Sequence, residues 1–484
     1  MSCRLTLLLA LILPLPGCSE SSPPSAPPGP PAAPPAHDIT GHWEGVIQTP
    51  AAALGIRMDL ARDGDDWTGT IDIPMQGAAG LPLKSIRING EQIRFAITGV
   101  PGDPTFRGKI EKAKITGTFT QAGQTMPFEL GREPVAAAAR PKRPQEPKPP
   151  FPYKAEDVTY PSGDIQLAAT LTLPDGPGPH PAVVLITGSG PQNRDEELMG
   201  HKPFLVLADH LTRAGVAVLR ADDRGVGQST GNFATATTRD FADDALAGVA
   251  FLKARNDIAT DRIGLIGHSE GGIAAPLAAT QSDDVAFIIL LAGSGVPGIE
   301  VSQSQVAYTL RSTGLSDERI QWQLAFNRAL LELLQTHTDA DAISREARRV
   351  AQEHLAKASE TVRAEVGTAE QLLDSVKTVM PRPSPWLRFF LSHDPAPVLA
   401  RVKVPVLAIV GELDTQVDPD LNMPAIEAAL ADNADATTTR LPGLNHLFQK
   451  ATTGSVAEYA RIEETMNPAA LELIAKWINQ RFGE

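Results

Sequence analysis

The sequence has almost no cysteine and no extended basic segment. Among its 484 residues only Cys3 and Cys18 occur, so the folded part has no disulfide, no cysteine-based zinc site and no thiol nucleophile. No metal site is predicted. Acidic residues outnumber basic ones by 57 to 43, the net charge is −14, and the longest basic run, Arg140-Pro-Lys-Arg143, we interpret as solvated linker. Binding to a phosphate backbone needs clustered positive charge, so we expect no nucleic-acid partner.

The chain also has no apolar run near its N-terminus that is long enough to span a membrane. Arg4 is followed by the apolar run Leu5–Leu15 and then by Pro16-Gly-Cys18, a pattern typical of a cleaved export signal over residues 1–17. Leu-Pro-Gly-Cys resembles the lipobox of bacterial lipoproteins, which implies a lipid anchor on Cys18 in the bacterial envelope. Ordinary cleavage, with a free periplasmic or secreted protein, is the alternative. Residues 18–37 are rich in Pro, Ser and Ala and predict an extended tether.

Residues 38–133 predict a small all-β domain. Short segments of alternating polar and apolar residues are separated by turn signals such as Asn89-Gly, which favours an antiparallel barrel or sandwich. We expect Trp43 and Trp67 to pack in the core or at a barrel end. The predicted strands are His42–Ile47, Ile56–Leu60, Trp67–Ile73, Ile86–Ile88, Ile93–Ile97, Phe106–Ile110, Ile115–Phe119 and Met126–Leu130.

Residues 134–152 form a second Pro-rich linker, and residues 153–484 predict an α/β domain. In that domain strand-like apolar runs alternate with helical patterns, which indicates a mostly parallel sheet covered by helices on both faces. From about 298 to 395 the sequence has amphipathic helical stretches and no strand pattern, so we predict an inserted helical cap. The expected strands are Ile165–Leu173, Ala182–Thr187, Val216–Arg220, Ile263–Ile266, Val285–Leu291 and Val406–Val410, and the expected helices are Pro203–Ala214, Arg239–Lys253 and Gly271–Ala279.

The strongest local signal for chemistry is Gly267-His-Ser-Glu-Gly271, a G-x-S-x-G sequence. It follows an apolar strand and precedes a helical pattern. A serine at a sharp strand-to-helix turn has a strained backbone, so its neighbours two residues away must be small. Its hydroxyl is then exposed beside a helix N-terminus, which favours developing negative charge. Ser269 is therefore the predicted nucleophile.

A serine nucleophile needs a base, and the base needs an acid to orient it. His446 follows the strand-like Thr437–Leu441 in a loop and is the predicted base. Asp414 follows the glycine that ends the strand Val406–Val410 and is the favoured acid. Glu412 and Asp418 are alternatives, although Glu412 points along the strand and Asp418 precedes a proline that can begin a helix.

The oxyanion of acyl transfer needs backbone N–H donors. One predicted donor is the N–H of Glu270, directly after the nucleophile. The other is the N–H of Ser189 in the loop Thr187-Gly-Ser-Gly190, which follows an apolar strand. A nucleotide-binding glycine loop is disfavoured there, because neither G-x-G-x-x-G nor G-K-[ST] is present.

Together these segments resemble the α/β-hydrolase superfamily, and within it bacterial esterases related to the dienelactone hydrolase and prolyl oligopeptidase branches. The resemblance covers residues 153–484 and implies a Ser269–Asp414–His446 triad and cofactor-free hydrolysis through an acyl-enzyme. It also implies that Asp222-Asp-Arg-Gly is a structural loop beside the site. The motifs that carry it are Thr187–Asp195, Asp222–Ser229, Gly267–Gly272, Gly411–Asp414 and Leu444–Gln449.

We therefore expect an esterase that acts on a small-molecule ester. A peptidase or an acyl thioesterase with the same triad is the alternative, and an inactive surface-binding protein is disfavoured because the triad is complete. Four aromatic side chains of the cap could line an acyl pocket or form the core of the cap: Trp322, Trp386, Phe389 and Phe390.

Overall fold

A computed structural model describes residues 38–48, 53–64, 66–73, 78–98, 104–121, 124–132, 142–311, 313–377 and 384–483. The predicted signal, Cys18, the tether and residues 134–141 of the second linker lie outside these ranges. The chain divides into two compact units: of the described residues, one includes 38–142 and 348–377, and the other 143–347 and 384–483. Every helix in these ranges is too short or too polar to cross a membrane.

The N-terminal residues form a closed antiparallel barrel of eight strands. Strand β1 pairs with both β2 and β8, which closes the sheet on itself, so the predicted all-β domain is confirmed as a barrel. The alternating pattern places one apolar face in the interior. The strands are β1(Gly41–Gln48), β2(Ala53–Asp63), β3(Asp66–Ile73), β4(Ala78–Asn89), β5(Gln92–Ile97), β6(Thr105–Glu111), β7(Lys114–Gln121) and β8(Gln124–Gly131).

Trp43 packs in the core of the barrel. Its side chain is fully buried, and its indole N–H donates to the carbonyl oxygen of Ile39 at 2.9 Å. The guanidinium of Arg132 lies 4.1 Å from the centre of its ring. Trp67 is partly buried against the same core. Both tryptophans therefore have the packing role that the sequence predicts.

The second unit contains an eight-stranded sheet with the order β16-β15-β14-β13-β11-β12-β10-β9. Strands β11 to β16 are parallel, while β10 pairs antiparallel with both β12 and β9. With helices between the parallel strands, this is the predicted α/β-hydrolase fold. The strands are β9(Lys154–Ser162), β10(Ile165–Leu173), β11(His180–Ile186), β12(Ala217–Ala221), β13(Ile258–His268), β14(Phe287–Leu291), β15(Val406–Gly411) and β16(Ala436–Leu441).

The helices outside the cap follow the parallel strands. Three of them have the positions that the sequence predicts, because their apolar residues recur at helical spacing and α2 begins with a capping box of Thr237 and Asp240. A short 3-10 helix covers Phe233–Thr235. The helices are α1(Pro203–Arg213), α2(Thr238–Lys253), α3(Gly271–Ala279), and, after β15, α11(Pro419–Ala429), α12(Val456–Tyr459) and α13(Pro468–Phe482).

Between β14 and β15 the described residues form helices joined by turns and contain no strand, as the sequence predicts for the cap. Helices α4, α5 and α9 pack on one another, and α9 also contacts α2. Arg348–Met380 belongs to the unit that contains the barrel. The helices are α4(Gly298–Arg311), α5(Asp317–Thr336), α6(Ala340–Lys357), α7(Glu360–Val366), α8(Ala369–Lys377), α9(Pro385–Ser392) and α10(Ala396–Leu399).

Strand β9 is missing from the strands predicted from the sequence. It lies at the edge of the sheet, where only one side pairs, and most of its side chains are exposed or half-buried. An edge strand tolerates charged residues and proline, so β9 lacks the apolar run that marks the buried strands.

Arg143 does not behave as a solvated linker charge. Its guanidinium donates to the carbonyl oxygens of Ile462 at 2.7 Å, Gly200 at 3.1 Å and Met199 at 3.1 Å. Gln145 likewise binds the backbone of Met466 at 2.6 Å. The interpretation of this basic run as solvated is therefore wrong at Arg143. A side chain that binds backbone carbonyls leaves no periodic signal in the sequence.

Candidate active site

The predicted site residues lie after four parallel strands of the same sheet. Ser269 follows β13 directly, Ser189 follows β11, Asp414 follows β15 and His446 follows β16. The carboxyl ends of parallel strands meet at one edge of a sheet, which is where α/β folds place their ligands. The fold therefore brings the four residues to the same edge.

Ser269 occupies a strained turn between β13 and α3. Its φ is 53°, in the left-handed region that a residue with a side chain rarely adopts. The turn is held by hydrogen bonds from Ser269 N to Leu291 O at 2.8 Å and from Gly272 N to Ser269 O at 2.9 Å. The side chain remains partly exposed. This is the geometry expected of a nucleophile elbow.

The two glycines of the G-x-S-x-G sequence are required by close backbone approach. A Cβ on Gly267 would overlap the carbonyl of Gly271, and a Cβ on Gly271 would overlap the carbonyl of Ile186. Side chains at these positions would force the turn to open. The requirement for glycine two residues before and two residues after Ser269 thus has a steric cause.

Asp414 and His446 form a buried pair. Asp414 Oδ2 lies 2.7 Å from His446 Nδ1, and Asp414 Oδ1 accepts from the backbone N–H groups of Gln416 and Val417, both at 2.8 Å. A carboxylate only accepts, so Nδ1 carries the proton and Nε2 keeps the lone pair that a general base needs. Within the part of the chain described, no hydrogen bond joins the Ser269 hydroxyl to His446; such bonds are often long before substrate binds.

The two alternative acids have other contacts. Asp418 is the N-cap of α11, where its side chain accepts from Asp420 N at 2.9 Å. Glu412 accepts from the backbone N–H of Gly443 at 2.9 Å. Of the three acids considered, the contact with His446 belongs to Asp414.

The loop Thr187–Gly190, here called the oxyanion loop, runs beside Ser269. A Cβ built on Gly188 would lie 3.3 Å from Ser269 Cβ, so the loop backbone directly adjoins the nucleophile. The N–H groups of Ser189 and Glu270 have no hydrogen-bond partner among the residues that the structure describes. They are therefore available as donors to a ligand, whereas the N–H of Gly188 donates to the carboxylate of Glu196 at 2.7 Å.

The side chain of Glu270 forms hydrogen bonds that could not be predicted from the sequence motif. Its Oε1 accepts from Thr238 Oγ1 and from the indole N–H of Trp386, both at 2.7 Å. The other oxygen, Oε2, is buried without a partner in the described chain. Burial raises the pKa of the Glu270 carboxyl, which favours its neutral form beside the site.

The cap aromatics divide between the site and the packing of the cap. Trp386 reaches Glu270 and stacks on Phe390 at 5.3 Å between ring centres. Trp322 stacks on Phe326 at 5.6 Å, and Phe389 on His393 at 4.8 Å. Among the hydrogen bonds and ring contacts recorded for the described residues, Trp386 is the one of these four side chains that reaches a residue of the elbow.

The Asp222-Asp-Arg-Gly loop supports the oxyanion loop from behind. Asp223 accepts from Thr187 Oγ1 at 2.7 Å and from Gln192 N at 2.8 Å, while Asp222 pairs with Arg194 at 2.8 Å. Burial raises the pKa of Asp223 well above its usual range. In the described ranges, no group of three or more His, Cys, Asp or Glu side chains is placed to hold a metal ion.

Glu196 and His268 are two further residues that the sequence analysis does not single out. Glu196 Oε1 lies 2.8 Å from His268 Nδ1, and His268 Nε2 lies 3.1 Å from the carbonyl oxygen of His446. Burial by itself lowers the pKa of His268, but the charge and hydrogen bond of Glu196 outweigh it and the pKa is raised. The direct sequence neighbour of Ser269 is thus linked to the backbone of the predicted base.

In comparisons with known proteins, part of the chain matches one family, and several individual proteins are similar to it at lower identity or coverage. Residues 202–450 match the family described as serine aminopeptidase, S33. Esterase EstD of Thermotoga maritima is 34% identical over 164 residues, which are 34% of this chain and 38% of that protein, so the chain spans well under half of this curated relative.

Two solved structures illustrate the structural likenesses. Est1E from Butyrivibrio proteoclasticus, solved with ferulic acid, is 17% identical with a TM-score of 0.39, over 67% of this chain and 96% of that one. Proline iminopeptidase of Mycobacterium smegmatis is 20% identical with a TM-score of 0.40, over 67% and 98%.

Proposed function

Because the chain belongs to the serine aminopeptidase S33 family and has an α/β-hydrolase fold, we propose that it hydrolyses carboxylic esters through an acyl-enzyme. Ser269 is the nucleophile, His446 the general base and Asp414 the acid that orients it. The observation that carries this proposal is the hydrogen bond of 2.7 Å between His446 Nδ1 and Asp414 at the sheet edge where Ser269 holds a left-handed φ.

The reaction follows from the roles of these groups. Ser269 Oγ attacks the carbonyl carbon of the ester while His446 Nε2 takes the hydroxyl proton. The oxygen of the tetrahedral intermediate becomes negative and accepts from the N–H groups of Ser189 and Glu270, beside the N-terminus of α3. His446 returns the proton to the departing alkoxide, and a water molecule then hydrolyses the acyl-enzyme by the same steps.

Asp414 acts through His446 and does not touch the ester. Its second oxygen is fixed by the N–H groups of Gln416 and Val417, so the carboxylate cannot rotate away from the imidazole. This arrangement keeps the proton on Nδ1 and stabilises the imidazolium that forms during each step.

The choice of an ester is supported by the relative that is 34% identical over 164 residues, which is named an esterase. The family description, a serine aminopeptidase, keeps peptide hydrolysis as the competing reaction on the same groups. An acyl thioester is the third substrate class. A substrate panel separates the three, because the nucleophile and the oxyanion donors are common to all of them.

The test has two parts. A fluorophosphonate probe is expected to label the wild-type protein on Ser269 and to leave the Ser269→Ala variant unlabelled; an unlabelled wild type would exclude a serine hydrolase. Initial rates are then compared for p-nitrophenyl esters of graded chain length, aminoacyl anilides and acyl-CoA. Ester cleavage should be fastest, and faster cleavage of the anilides would assign the protein as a peptidase.

For localisation, we propose export and lipid attachment at Cys18. Arg4, the apolar run Leu5–Leu15 and Pro16-Gly-Cys18 support this proposal. Intact mass spectrometry of the protein from a bacterial membrane fraction should give a diacylglycerol-modified chain that begins at Cys18. Cleavage without lipid mass, or recovery of the same soluble fraction after Cys18→Ala, would argue for a free periplasmic or secreted protein.

A further inference from the structure

Glu196 is a buried carboxylate in an unfavourable backbone conformation. Its φ is 52°, its side chain is 3% exposed, and Oε2 has no partner in the described part of the chain. Left-handed backbone at a residue with a side chain and burial of a charge both cost free energy. The fold keeps Glu196 in place through contacts of Oε1, which accepts from Gly188 N at 2.7 Å and contacts His268 Nδ1 at 2.8 Å.

His268 must donate from both of its ring nitrogens. Nδ1 faces the Glu196 carboxylate, and Nε2 faces the carbonyl oxygen of His446 at 3.1 Å. Both partners are acceptors, and an imidazole donates through both nitrogens only when it carries two protons. With Glu196 as a carboxylate, this arrangement makes His268 an imidazolium and Glu196 its counter-ion.

This ion pair touches three parts of the proposed machinery. Gly188 precedes the oxyanion donor Ser189, His268 precedes the nucleophile Ser269, and the carbonyl that accepts from His268 belongs to His446. The rings of His268 and His446 also contact each other, with centres 4.8 Å apart. A single carboxylate thus joins the oxyanion loop, the elbow and the backbone of the base.

We propose that the Glu196–His268 ion pair is a positioning pair, which holds the oxyanion loop and the backbone of His446 in register with Ser269. The proposal rests on the function proposed above. Neither residue touches the ester in this scheme. The pair acts by fixing where the Ser189 N–H and the His446 imidazole lie relative to the attacking oxygen.

Loss of such a positioning pair should lower kcat and leave KM unchanged. The oxyanion exists only in the tetrahedral intermediate and the transition states beside it, so a displaced donor weakens the transition state and leaves substrate binding unchanged. Loss of a whole oxyanion donor costs about 10²–10³ in kcat. A donor that is present but mobile should cost less, about tenfold to a hundredfold.

The first variant is Glu196→Gln. The amide oxygen still accepts from Gly188, but the charge that holds His268 in its imidazolium form is gone. We expect kcat per active site, titrated with the fluorophosphonate, to fall about tenfold to a hundredfold with KM within about twofold of wild type. Glu197→Gln is the matched control, because the side chain of Glu197 is exposed, and it should behave as wild type.

The pH profile gives a readout that general loss of stability would not move. The charged groups that face His268 are Glu196 and, through the active-site pair, His446 and Asp414. As pH rises through the raised pKa of His268, the ring loses its Nε2 proton, because the Glu196 carboxylate keeps the proton on Nδ1. The hydrogen bond to the carbonyl oxygen of His446 then breaks, so kcat should fall on the alkaline side. Removal of the Glu196 charge lowers that pKa, so in Glu196→Gln the fall should begin at lower pH.

His268→Gln provides a second route if Glu196→Gln does not fold. A glutamine side chain can reach one of the two acceptors but not both, so kcat should fall with little change in KM. Unchanged kcat and an unmoved alkaline limb in either folded variant would overturn the positioning role. A wild type that the fluorophosphonate does not label would overturn the proposed function and this proposal together, whereas a labelled wild type with unaffected variants overturns only the ion pair.

Discussion

The indole N–H of Trp386 donates to Oε1 of Glu270 at 2.7 Å, so a cap side chain is hydrogen-bonded to the residue that follows Ser269. Trp386 lies on α9, which also contacts α2, and Thr238 at the start of α2 donates to the same oxygen at 2.7 Å. Glu270 therefore joins the cap helix to the elbow. The position of α9 and that of the nucleophile depend on each other through this carboxyl group.

Trp386→Phe tests this connection, because it keeps an aromatic ring and removes the N–H. Glu270 would lose one of its donors in a buried setting, which should lower the free energy of unfolding by about 1–2 kcal/mol. We also expect the ratio of kcat/KM between short and long acyl esters to change, since α9 would be held less firmly. Chemical denaturation and a chain-length series measure the two effects.

Trp322→Phe is the control for this variant. Trp322 stacks on Phe326 within α5, so the same chemical change is made in the cap at a residue that provides neither of the two hydrogen bonds recorded for Glu270 Oε1. The chain-length profile should stay as in wild type. If Trp386→Phe and Trp322→Phe shift the profile equally, the hydrogen bond to Glu270 has no special role.

Asp414→Asn should reduce kcat by about a thousandfold or more, with the protein folded. The N–H groups of Gln416 and Val417 will hold the amide oxygen, so the amide NH2 must face His446 Nδ1. The imidazole would then carry its proton on Nε2, which is the wrong tautomer for a base. Steady-state kinetics with a p-nitrophenyl ester, beside circular dichroism, measures both points.

Asp418→Asn tests whether Asp418, the alternative acid, takes the role proposed for Asp414. Asp418 caps α11 by accepting from Asp420 N at 2.9 Å, and asparagine caps a helix about as well. Activity and stability should both remain close to wild type. A large loss of kcat here, with a small one in Asp414→Asn, would transfer the role to Asp418.

Some of this architecture could be predicted from the sequence because its signals are local. Buried parallel strands are continuous apolar runs, and the elbow around Ser269 is marked by two glycines that its backbone geometry requires. The order of the strands then leaves only a few residues as candidates for the acid and the base, and Asp414 and His446 are among them. These features need only short windows of sequence and the general rules of the fold.

The residues that support the site could not be found in this way. Glu196 and His268 are 72 residues apart in the chain, and their pairing depends on how β11 and β13 lie side by side. The contact between Trp386 and Glu270 spans 116 residues and depends on the path of the cap. Charged side chains of this kind resemble ordinary surface residues until the fold shows that they are buried.

Gly267→Ala should prevent formation of the elbow. The added Cβ would overlap the carbonyl of Gly271, which is backbone and cannot move without opening the turn at Ser269. We expect a loss of about 3 kcal/mol in the free energy of unfolding and no fluorophosphonate labelling. Gly163→Ala is the control: φ is 57° there and no atom lies within 4 Å of the new Cβ, so it should cost about 1 kcal/mol and keep labelling.

The lowered pKa of His201 predicts how the stability of the unit that contains the parallel sheet depends on pH. Its side chain is fully buried, with Nε2 at 2.8 Å from the carbonyl of Tyr459 and at 3.1 Å from the amide of Gln449, three residues after His446. Burial, with a smaller contribution from the charge of Arg143, lowers its pKa to about 4. The native protein therefore keeps this imidazole neutral at a pH where a free histidine would be charged.

The direction of the effect follows from proton uptake. An unfolded chain binds a proton at His201 near pH 6.5, whereas the native protein does so only near pH 4. As pH falls between these values the unfolded state is favoured, and the contribution of His201 to stability should decline by about 3 kcal/mol in total. Denaturation curves of wild type and His201→Gln at several pH values measure this, because the variant lacks that part of the slope.

His210→Gln, a substitution on α1, provides the control. It should leave the dependence of the free energy of unfolding on pH as in wild type. Equal slopes for wild type and His201→Gln would mean that His201 takes up its proton equally in the native and unfolded states. Because the amide nitrogen of Gln449 lies 3.1 Å from His201 Nε2, the same protonation should also disturb the loop that carries His446. We therefore expect hydrolysis of a p-nitrophenyl ester to be lost irreversibly at a higher pH in wild type than in His201→Gln during acid incubation.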